Sequence, residues 1–544
     1  MPTPSHPDTI AVELVTRPLD CSAAPLRPTL DTLPADILQS IIKLLYDEWL
    51  DNVHPKFRSY PRFDHERCQG EYLLDLSLTC RNLRAQTMPL IFREVYNWES
   101  SRGTVWPKSL WPYLKIIHIR ECTVRNPRKL DLSLETIHSL ALMPSLTKAT
   151  VRLDSSVPPA LLHSLSLAPS LLRLEIHQAR FDGEFPCSPL PFHTLETLLI
   201  SSSGFRGGAS QENVNHNKQA MNFGLLLHAL SSRLTELRIS GEFIPRTFPS
   251  IEWLYIRRLA ITEHEPRHNV PVPELISNMP ALRDLEVLYT LDTTRAAHVK
   301  GRFPSFHLGD QSGRILSDRC PLLSRVALGN VLPDDSIFAQ LPGCLESLNL
   351  RAPVDPYRDA HMGFPRDAYC PFNEHTLPKA LSHMQHLRDL TELCLDLDSF
   401  VKAPIIHHIG LILPQLEILE FRLPRYMFLD SPVCFNARDR DPAILLALNL
   451  FSRLLHLRIT MHFQRMHSDP HYSREVTAQW FFRGVPTLRT VSYAMVGNIH
   501  TLGFDSGSWQ TLDRRVLDFI LPTPPPSPPP LQLSRTYPSV FPPD

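Results

Sequence analysis

The sequence predicts an α/β fold of the solenoid class, in which short parallel strands alternate with helices. Three observations lead to this prediction. An apolar motif recurs along most of the chain, apolar-periodic segments that end at proline precede many copies of it, and the spacing of the copies leaves room for a helix beside each strand. A further amphipathic segment lies ahead of the first copy, so a small helical module is expected in front of the solenoid.

The repeating motif consists of an apolar anchor, two variable residues, an apolar residue, one variable residue and a last apolar residue. Its final three positions alternate inward and outward, as the side chains of a short β-strand do. Such a motif is common by chance, but many copies spread along a chain are not. Thirteen copies begin at the anchors Leu114, Leu146, Leu171, Leu195, Leu234, Ile251, Leu282, Leu323, Leu345, Leu390, Leu416, Leu454 and Leu488.

Helices are predicted where apolar-periodic segments end at proline, because proline cannot continue a helix. Strands that are joined through helices must run parallel, with right-handed crossovers. Stacking such units gives a curved solenoid with a concave parallel sheet and helices outside. The predicted helices lie within residues 132–144, 158–169, 273–280, 312–321, 334–342, 403–414 and 474–486.

These repeats resemble the irregular leucine-rich repeats of the ribonuclease-inhibitor type. Their mean step of about 31 residues exceeds the 20–29 residues of typical leucine-rich repeats. Most copies also lack the asparagine of regular leucine-rich repeats, which leaves the boundaries of individual copies open. The resemblance implies a leucine-rich-repeat solenoid over residues 105–500.

The outward strand positions of the thirteen copies are expected to line a broad surface. Either this surface recognises a protein, which is the usual role of such a face, or it is a solvated sheet face and the contacts lie on loops or one rim. The outward residues are His118, Thr150, Glu175, Leu199, Arg238, Tyr255, Glu286, Ala327, Asn349, Cys394, Glu420, Arg458 and Ser492.

Two insertions interrupt the repeats. Residues 201–219 are rich in Gly, Ser and Asn and have no apolar period, so they are predicted to form a loop. Residues 351–375 are rich in proline and aromatic residues, including Tyr357, Phe364, Tyr369 and Phe372. These aromatic side chains either anchor a binding partner or attach the insertion to the edge of the solenoid.

The segment "TLPADILQSIIKLL" at residues 32–45 is predicted to form a short amphipathic helix. Its apolar residues Ile37, Leu38, Ile41, Ile42 and Leu45 fall on one helical stripe. A proline suits the first turn of a helix, where its missing N–H costs nothing. Apolar residues within residues 72–96 predict one or two further short helices.

"LPADILQSIIKLL", followed by "LLDLSLTCRNLRAQTMPLIFREVY", resembles the F-box in the form common in fungal F-box proteins. Beyond the family pattern, this chain inserts roughly 25 residues between the two halves, at residues 47–71. The resemblance implies a three-helix module over residues 30–98 that docks a Skp-type adaptor. The residues expected to contact the adaptor are Leu33, Pro34, Ile37, Leu38, Ile41, Leu76, Leu78, Cys80, Arg81, Leu83 and Phe92.

Composition argues against several classes of protein. The net charge of −1 and the dispersed basic residues argue against a nucleic-acid partner. No stretch reaches the length of an apolar membrane helix, and the N-terminus lacks the pattern of a signal peptide. The ten cysteines include no C-x-x-C pair and are expected to be buried free thiols in a cytoplasmic or nuclear protein. Residues 1–29 and the proline-rich tail 521–544 are expected to be disordered.

No motif for catalysis, a cofactor or a metal is apparent. The sequence contains no P-loop, G-x-G-x-x-G or G-x-S-x-G motif. His462, His467 and His471 lie close together in sequence but are interpreted as surface residues, because a zinc site requires a closed ligand set. The chain is therefore expected not to be an enzyme.

The resemblances together imply a substrate-receptor subunit of an SCF-type cullin–RING ubiquitin ligase. The front module would dock the adaptor, and the solenoid would bind an unidentified protein substrate. Alternatives are a leucine-rich-repeat interaction scaffold unrelated to ubiquitin, in which the front stripe only caps the first repeat, and an enzyme with a site in residues 351–375.

Overall fold

The structure is a computed structural model that divides into two compact units, Met1–Ile91 (the front unit) and Phe92–Asp544 (the repeat unit). It describes residues 34, 36–38, 40–42, 44, 77–78, 81–97, 107–120, 134–153, 155–177, 180–185, 190–201, 216–264, 266, 270–290, 315–329, 331–351, 372, 374–397, 401–422, 441–461, 474–495 and 509–513.

The described strands of the repeat unit form one 15-stranded sheet whose spatial order follows the chain from first to last. The first fourteen strands run parallel, and the last pairs antiparallel with its neighbour. The strands are β1 (Glu94–Asn97), β2 (Ile116–Arg120), β3 (Lys148–Arg152), β4 (Arg173–His177), β5 (Thr197–Ser201), β6 (Glu236–Ser240), β7 (Arg258–His264), β8 (Asp284–Thr290), β9 (Arg325–Gly329), β10 (Ser347–Arg351), β11 (Glu392–Asp396), β12 (Ile418–Arg422), β13 (His456–Met461), β14 (Thr490–Met495) and β15 (Trp509–Asp513).

Helices lie between most successive strands of the described repeat unit. Each of the seven segments predicted to be helical contains a helix, and these predictions are confirmed. The helices are α1 (Arg81–Ile91) in the front unit, then α2 (Leu134–Leu140), α3 (Pro159–Leu167), α4 (His216–Leu230), α5 (Val272–Leu275), α6 (Ile315–Arg319), α7 (Ile337–Gln340), α8 (Leu377–Ser382), α9 (Ala403–Ile412), α10 (Pro442–Leu448) and α11 (Arg474–Gly484).

Strand register places alternate side chains on opposite faces of the sheet. In β2–β13 the second and fourth positions, such as Leu174 and Ile176 in β4, are buried in one core with helix residues such as Leu161 and Leu165. The first, third and fifth positions therefore point to the other face, which we call the open face. This alternation and the ordered parallel sheet define a leucine-rich-repeat type of α/β solenoid.

A repeated pair of backbone hydrogen bonds joins successive repeats just before each strand. The carbonyl of Lys115 accepts from the N–H groups of Thr147 and Lys148, at 2.9 and 3.0 Å. The same arrangement recurs up to the carbonyl of Leu455, which accepts from Arg489 and Thr490 at 2.8 and 3.1 Å. These bonds fix the register of each strand, since a slip of one residue would turn its core side chains to the open face.

One predicted strand is wrong. Residues 251–256 follow a 3₁₀ turn (Phe248–Ser250) and are not a strand; the strand of this repeat is β7. "IEWLYI" and "IRRLAI" (256–261) both fit the motif and share Ile256, which is the true anchor. The carbonyl of Thr235 accepts from the N–H groups of Arg257 and Arg258, and this selects the second frame. Ala260, not Tyr255, is therefore the third-position residue of this repeat on the open face.

The other differences concern the ends of the sheet and one insertion. β1 and β15 carry no copy of the motif and were not predicted. Residues 216–219, predicted as the end of a loop, form the first turn of α4. This turn has no apolar pattern in the sequence, because the first buried apolar residue of the helix is Phe223. The remainder of that predicted loop lies outside the described residues. No described helix has the length and apolar composition needed to cross a membrane.

Candidate functional site

The front unit has a small core formed by two helical segments. Leu38 and Ile42, one turn apart, lie on the segment of described helical residues 36–38, 40–42 and 44, and both are buried with Leu83 of α1. Leu90 and Ile91 at the end of α1 pack against this cluster. The amide of Leu38 donates to the carbonyl of Pro34 at 3.0 Å, which places the proline in the first turn. One face of the first helix is thus used inside the front unit.

A second apolar stripe on the same helix remains exposed. Ile37 and Leu44 are 45% and 68% exposed, and Ile41 lies between them, half-buried. Residues at i, i+4 and i+7 share one face of a helix, so these three side chains form a continuous row. This outer stripe of Ile37, Ile41 and Leu44 is the candidate docking surface of the front unit. Leu78, in the helical residues 77–78, is 70% exposed as well.

The structure separates the residues that were predicted to contact the adaptor. Leu38 and Leu83 are buried in the core of the front unit, whereas Pro34 and Arg81 are exposed. Phe92 is half-buried and packs against the core of the repeat unit. The remaining predicted contacts, Leu33, Leu76 and Cys80, lie outside the described residues.

The open face of the repeat unit is the second candidate surface. Twelve of the thirteen predicted outward residues occupy the third position of a strand, on this face; Tyr255 is the exception described above. Side chains of neighbouring strands are joined across this face, including a contact from His118 to Glu94 at 2.7 Å and one from His456 to Thr490 at 2.8 Å. Charged residues at the first, third and fifth positions cluster around two buried carboxylates on this face.

Glu175 is the carboxylate at the centre of the first cluster, on β3 and β4. Its Oε1 contacts the Nζ of Lys148 at 2.9 Å and the Nε of Arg173 at 2.7 Å, and its Oε2 accepts from the Thr150 hydroxyl at 3.2 Å. His177 lies 3.8 Å from Oε2. Burial opposes ionisation of Glu175, but hydrogen bonds from His177, Lys148 and Arg173 outweigh it and hold its pKa well below the usual value.

Glu420 is the carboxylate at the centre of the second cluster, on β10–β13, and its side chain is almost fully buried. Arg422 donates from Nε to Oε1, and Arg458 donates from Nη1 to Oε2 at 3.1 Å. Arg458 also lies 3.9 Å from Glu392. Asp396 of β11 is paired in register with Arg422, and Arg351 of β10 donates from Nε to Oδ1 of Asn349 at 3.2 Å.

The two buried thiols among the described residues, Cys394 beside the Glu420 cluster and Cys320 after α6, are suited to structure rather than to reaction. Burial raises the pKa of Cys394 well above its ordinary value, although Arg422 acts in the opposite direction. Burial raises the pKa of Cys320 to about 11, with Arg319 opposing it. Since the thiolate is the reactive form, neither group is a nucleophile at neutral pH. Cys344 is the exposed free cysteine among the described residues.

The described part of the insertion at residues 351–375 favours attachment to the solenoid. Phe372 is buried and meets Phe338 of α7 edge-on, with ring centroids 6.4 Å apart. Tyr357, Phe364 and Tyr369 lie outside the described residues, as do His462, His467 and His471. Within the described ranges, no group of three or more His, Cys, Asp and Glu side chains is placed to hold a metal ion.

Comparisons with known proteins give structural likeness only. No family model and no curated protein matches the chain. The TLR13–ssRNA13 complex matches with a TM-score of 0.36 and 13% identity over 75% of this chain and 48% of that chain, so this chain spans about half its length. The mouse RP105/MD-1 complex gives 0.33 and 13%, covering 71% and 56%.

An internalin, InlF, from Listeria monocytogenes gives a TM-score of 0.26 and 12% identity, covering 57% of this chain and 68% of that chain. All three TM-scores lie below 0.5, so we infer neither the fold nor the function of this chain from these matches. The strand order and the repeated register of the chain itself establish the fold.

The clusters around Glu175 and Glu420 were missed at the level of sequence. The two glutamates were expected on the open face, but their partners were not. One signal was available: Arg173 and Arg422 each lie two residues from a glutamate, and residues two apart in a strand share a face. The partners from other strands, Lys148 and Arg458, required the register.

Proposed function

We propose that the chain is a substrate-receptor subunit of an SCF-type cullin–RING ubiquitin ligase. The front unit docks a Skp-type adaptor through the outer stripe, and the repeat unit holds a protein substrate. No residue of the chain performs chemistry in this scheme. The chain contributes proximity, because it keeps the substrate close to a conjugating enzyme bound to the same ligase.

The observation that carries the proposal is that the first helix is apolar on two adjacent stripes. Leu38 and Ile42 are used inside the front unit, whereas Ile37 and Leu44 are left in water. A surface helix of a folded unit normally needs one apolar stripe, so a second stripe supports docking against a groove between helices of another protein. The F-box pattern of "LPADILQSIIKLL" and "SLTCRNLR" supports a Skp-type adaptor as that protein.

The first test is co-purification of a Skp-type adaptor with the full chain. Ile37→Asp should reduce adaptor capture at least tenfold, because a charge buried in an apolar interface costs several kcal/mol. Leu134→Asp is the matched control: Leu134 is 66% exposed in α2 of the repeat unit, so its substitution should leave capture unchanged. Undiminished capture by Ile37→Asp, with the control also binding, would contradict the proposal.

The second candidate function is a leucine-rich-repeat interaction scaffold without a link to ubiquitin. The open face supports it as well as the first proposal, because charged and polar side chains line a long parallel sheet in either case. Affinity purification followed by mass spectrometry separates the two. Recovery of partner proteins without a Skp-type adaptor or a cullin favours the scaffold.

A further inference from the structure

Charge on the open face is balanced along most of the sheet but not at β3 and β4. On β6–β9 the described open-face positions carry three cations and three carboxylates. The cations are Arg238, Arg258 and Arg325, and the carboxylates are Glu236, Asp284 and Glu286. On β10–β13 three arginines likewise face three carboxylates, those of Glu392, Asp396 and Glu420.

β3 and β4 depart from this balance. Their open-face positions hold Lys148, Arg152 and Arg173 against the single carboxylate of Glu175, an excess of two positive charges before His177 is counted. The first, third and fifth positions of β2 hold no carboxylate, and Arg120 is paired in register with Arg152. The excess is therefore confined to one stretch of the described open face.

The cations of this cluster, which we call the basic patch, are partly exposed to solvent. Glu175 lies below, with its side chain 10% exposed, while the Arg173 side chain is 41% exposed. The ammonium of Lys148 and the guanidinium of Arg173 have three and five N–H donors respectively, and Glu175 takes one from each in the contacts above. The buried carboxylate thus orders two cations whose remaining donors can reach a second anion.

We propose that the basic patch of Lys148, Arg152 and Arg173 binds a segment rich in Asp and Glu from a partner protein. The inference deepens the proposed function, since the segment belongs to the protein that the repeat unit holds. Charge complementarity favours this occupant: an acidic segment brings carboxylates to a stretch whose described strand positions hold three cations and one carboxylate, whereas the stretches at β6–β13 hold equal numbers of both.

The test uses the full chain and a fluorescent dodecapeptide of alternating Asp and Gly, with binding followed by anisotropy at low salt. The same peptide with Asn in place of Asp should bind much more weakly. Lys148→Gln combined with Arg173→Gln should reduce affinity for the acidic peptide roughly fivefold or more, and added salt should weaken wild-type binding.

A matched double variant, Arg258→Gln with Arg325→Gln, removes the same charge from the same face but from a balanced stretch. Its affinity should stay within about twofold of wild type. Arg152→Gln is a milder test at an exposed residue and should weaken binding in a chain whose circular dichroism is unchanged.

Three results would overturn the inference. They are equal binding of the Asp and Asn peptides, equal loss in the two double variants, and binding of a phosphoserine–Gly peptide or a single-stranded RNA oligomer where the Asp peptide does not bind. Adaptor capture does not involve the basic patch, so failure here leaves the adaptor test of Ile37→Asp intact and the two outcomes remain distinguishable.

Discussion

At the scale of single residues, the buried glutamates of the open face show how the chain accommodates charge inside a sheet. Glu175 and Glu420 are each held by two basic side chains, one two residues away and one on an adjacent strand. A buried charge is tolerated when it is paired and hydrogen-bonded. Substitution of one partner is therefore expected to matter more here than at exposed pairs such as Lys379 and Asp334.

The pKa of Glu175 gives a prediction about pH. Its folded pKa lies below the ordinary value of 4.5, so its stabilising contribution is complete above that value and is lost as pH falls below it. At pH 7, Glu175→Gln should lower the free energy of unfolding by about 1–3 kcal/mol. Between about pH 5 and pH 3 the wild type should lose stability faster than the variant. Urea unfolding at several pH values tests this, and a difference that does not change with pH would contradict it.

Glycine permits close packing between helices α10 and α11. A Cβ built on Gly484 would lie 2.6 Å from Cδ2 and 2.8 Å from Cγ of Leu445, while Gly343 has no neighbour nearer than 3.5 Å. Gly484→Ala should therefore destabilise the chain by about 1–3 kcal/mol through overpacking. Gly343→Ala should leave the urea midpoint nearly unchanged. Equal midpoints for the two variants would show that Leu445 moves aside freely.

At the scale of elements, each repeat depends on an anchor followed by a strand with two buried positions. The anchors Leu114, Leu234 and Leu390 are fully buried, like the strand residues that follow them. Period-two patterning is a reliable signal here because one face of every strand packs against helices. The proline-ended helices were also predictable, since proline stops a helix for local reasons.

The repeat at β7 allows a test of which residues form its strand, because both 251–256 and 256–261 fit the repeating motif. Leu259 is fully buried, whereas Tyr255, an outward residue in the predicted frame, is 56% exposed and lies outside the strand. Leu259→Ala should cost about 2–5 kcal/mol, and Tyr255→Ala should cost within about 0.5 kcal/mol. Thermal or urea unfolding of the two variants measures this. A larger loss of stability for Tyr255→Ala than for Leu259→Ala would indicate that residues 251–256 form the strand.

At the scale of the whole molecule, the repeat unit is a linear array, because the strands follow chain order and each pairs only with its neighbours. In such arrays stability is close to a sum of repeat and nearest-neighbour contributions. A local defect should therefore have a local effect on backbone opening, unlike a defect in a domain with many long-range contacts.

Hydrogen exchange of the full chain can show this locality. Leu348 is fully buried in β10, between β9 and β11. Leu348→Ala should accelerate amide exchange most in β9–β11 and least in β2–β4, six to eight strands away. Mass spectrometry of peptic fragments measures the distribution. Uniform acceleration over all strands would show that the repeat unit opens as one cooperative block.

Several features were determined by the sequence itself. The solenoid class, the parallel direction of the strands, twelve of the thirteen outward residues and the seven proline-ended helices follow from local patterns. Each of these patterns reports whether a residue faces a core, and hydrophobic burial is the largest favourable contribution to folding. The amphipathic first helix belongs to this group, because its apolar stripe is legible in "DILQSIIKLL".

The tertiary structure alone decided the rest. It selected the frame at β7 through backbone hydrogen bonds from the preceding repeat, and it divided the stripe of the first helix into the buried pair Leu38 and Ile42 and the exposed residues Ile37 and Leu44. It also brought Lys148 beside Glu175, 27 positions later in the chain. These outcomes depend on which repeat lies beside which side chain, and no local pattern records that.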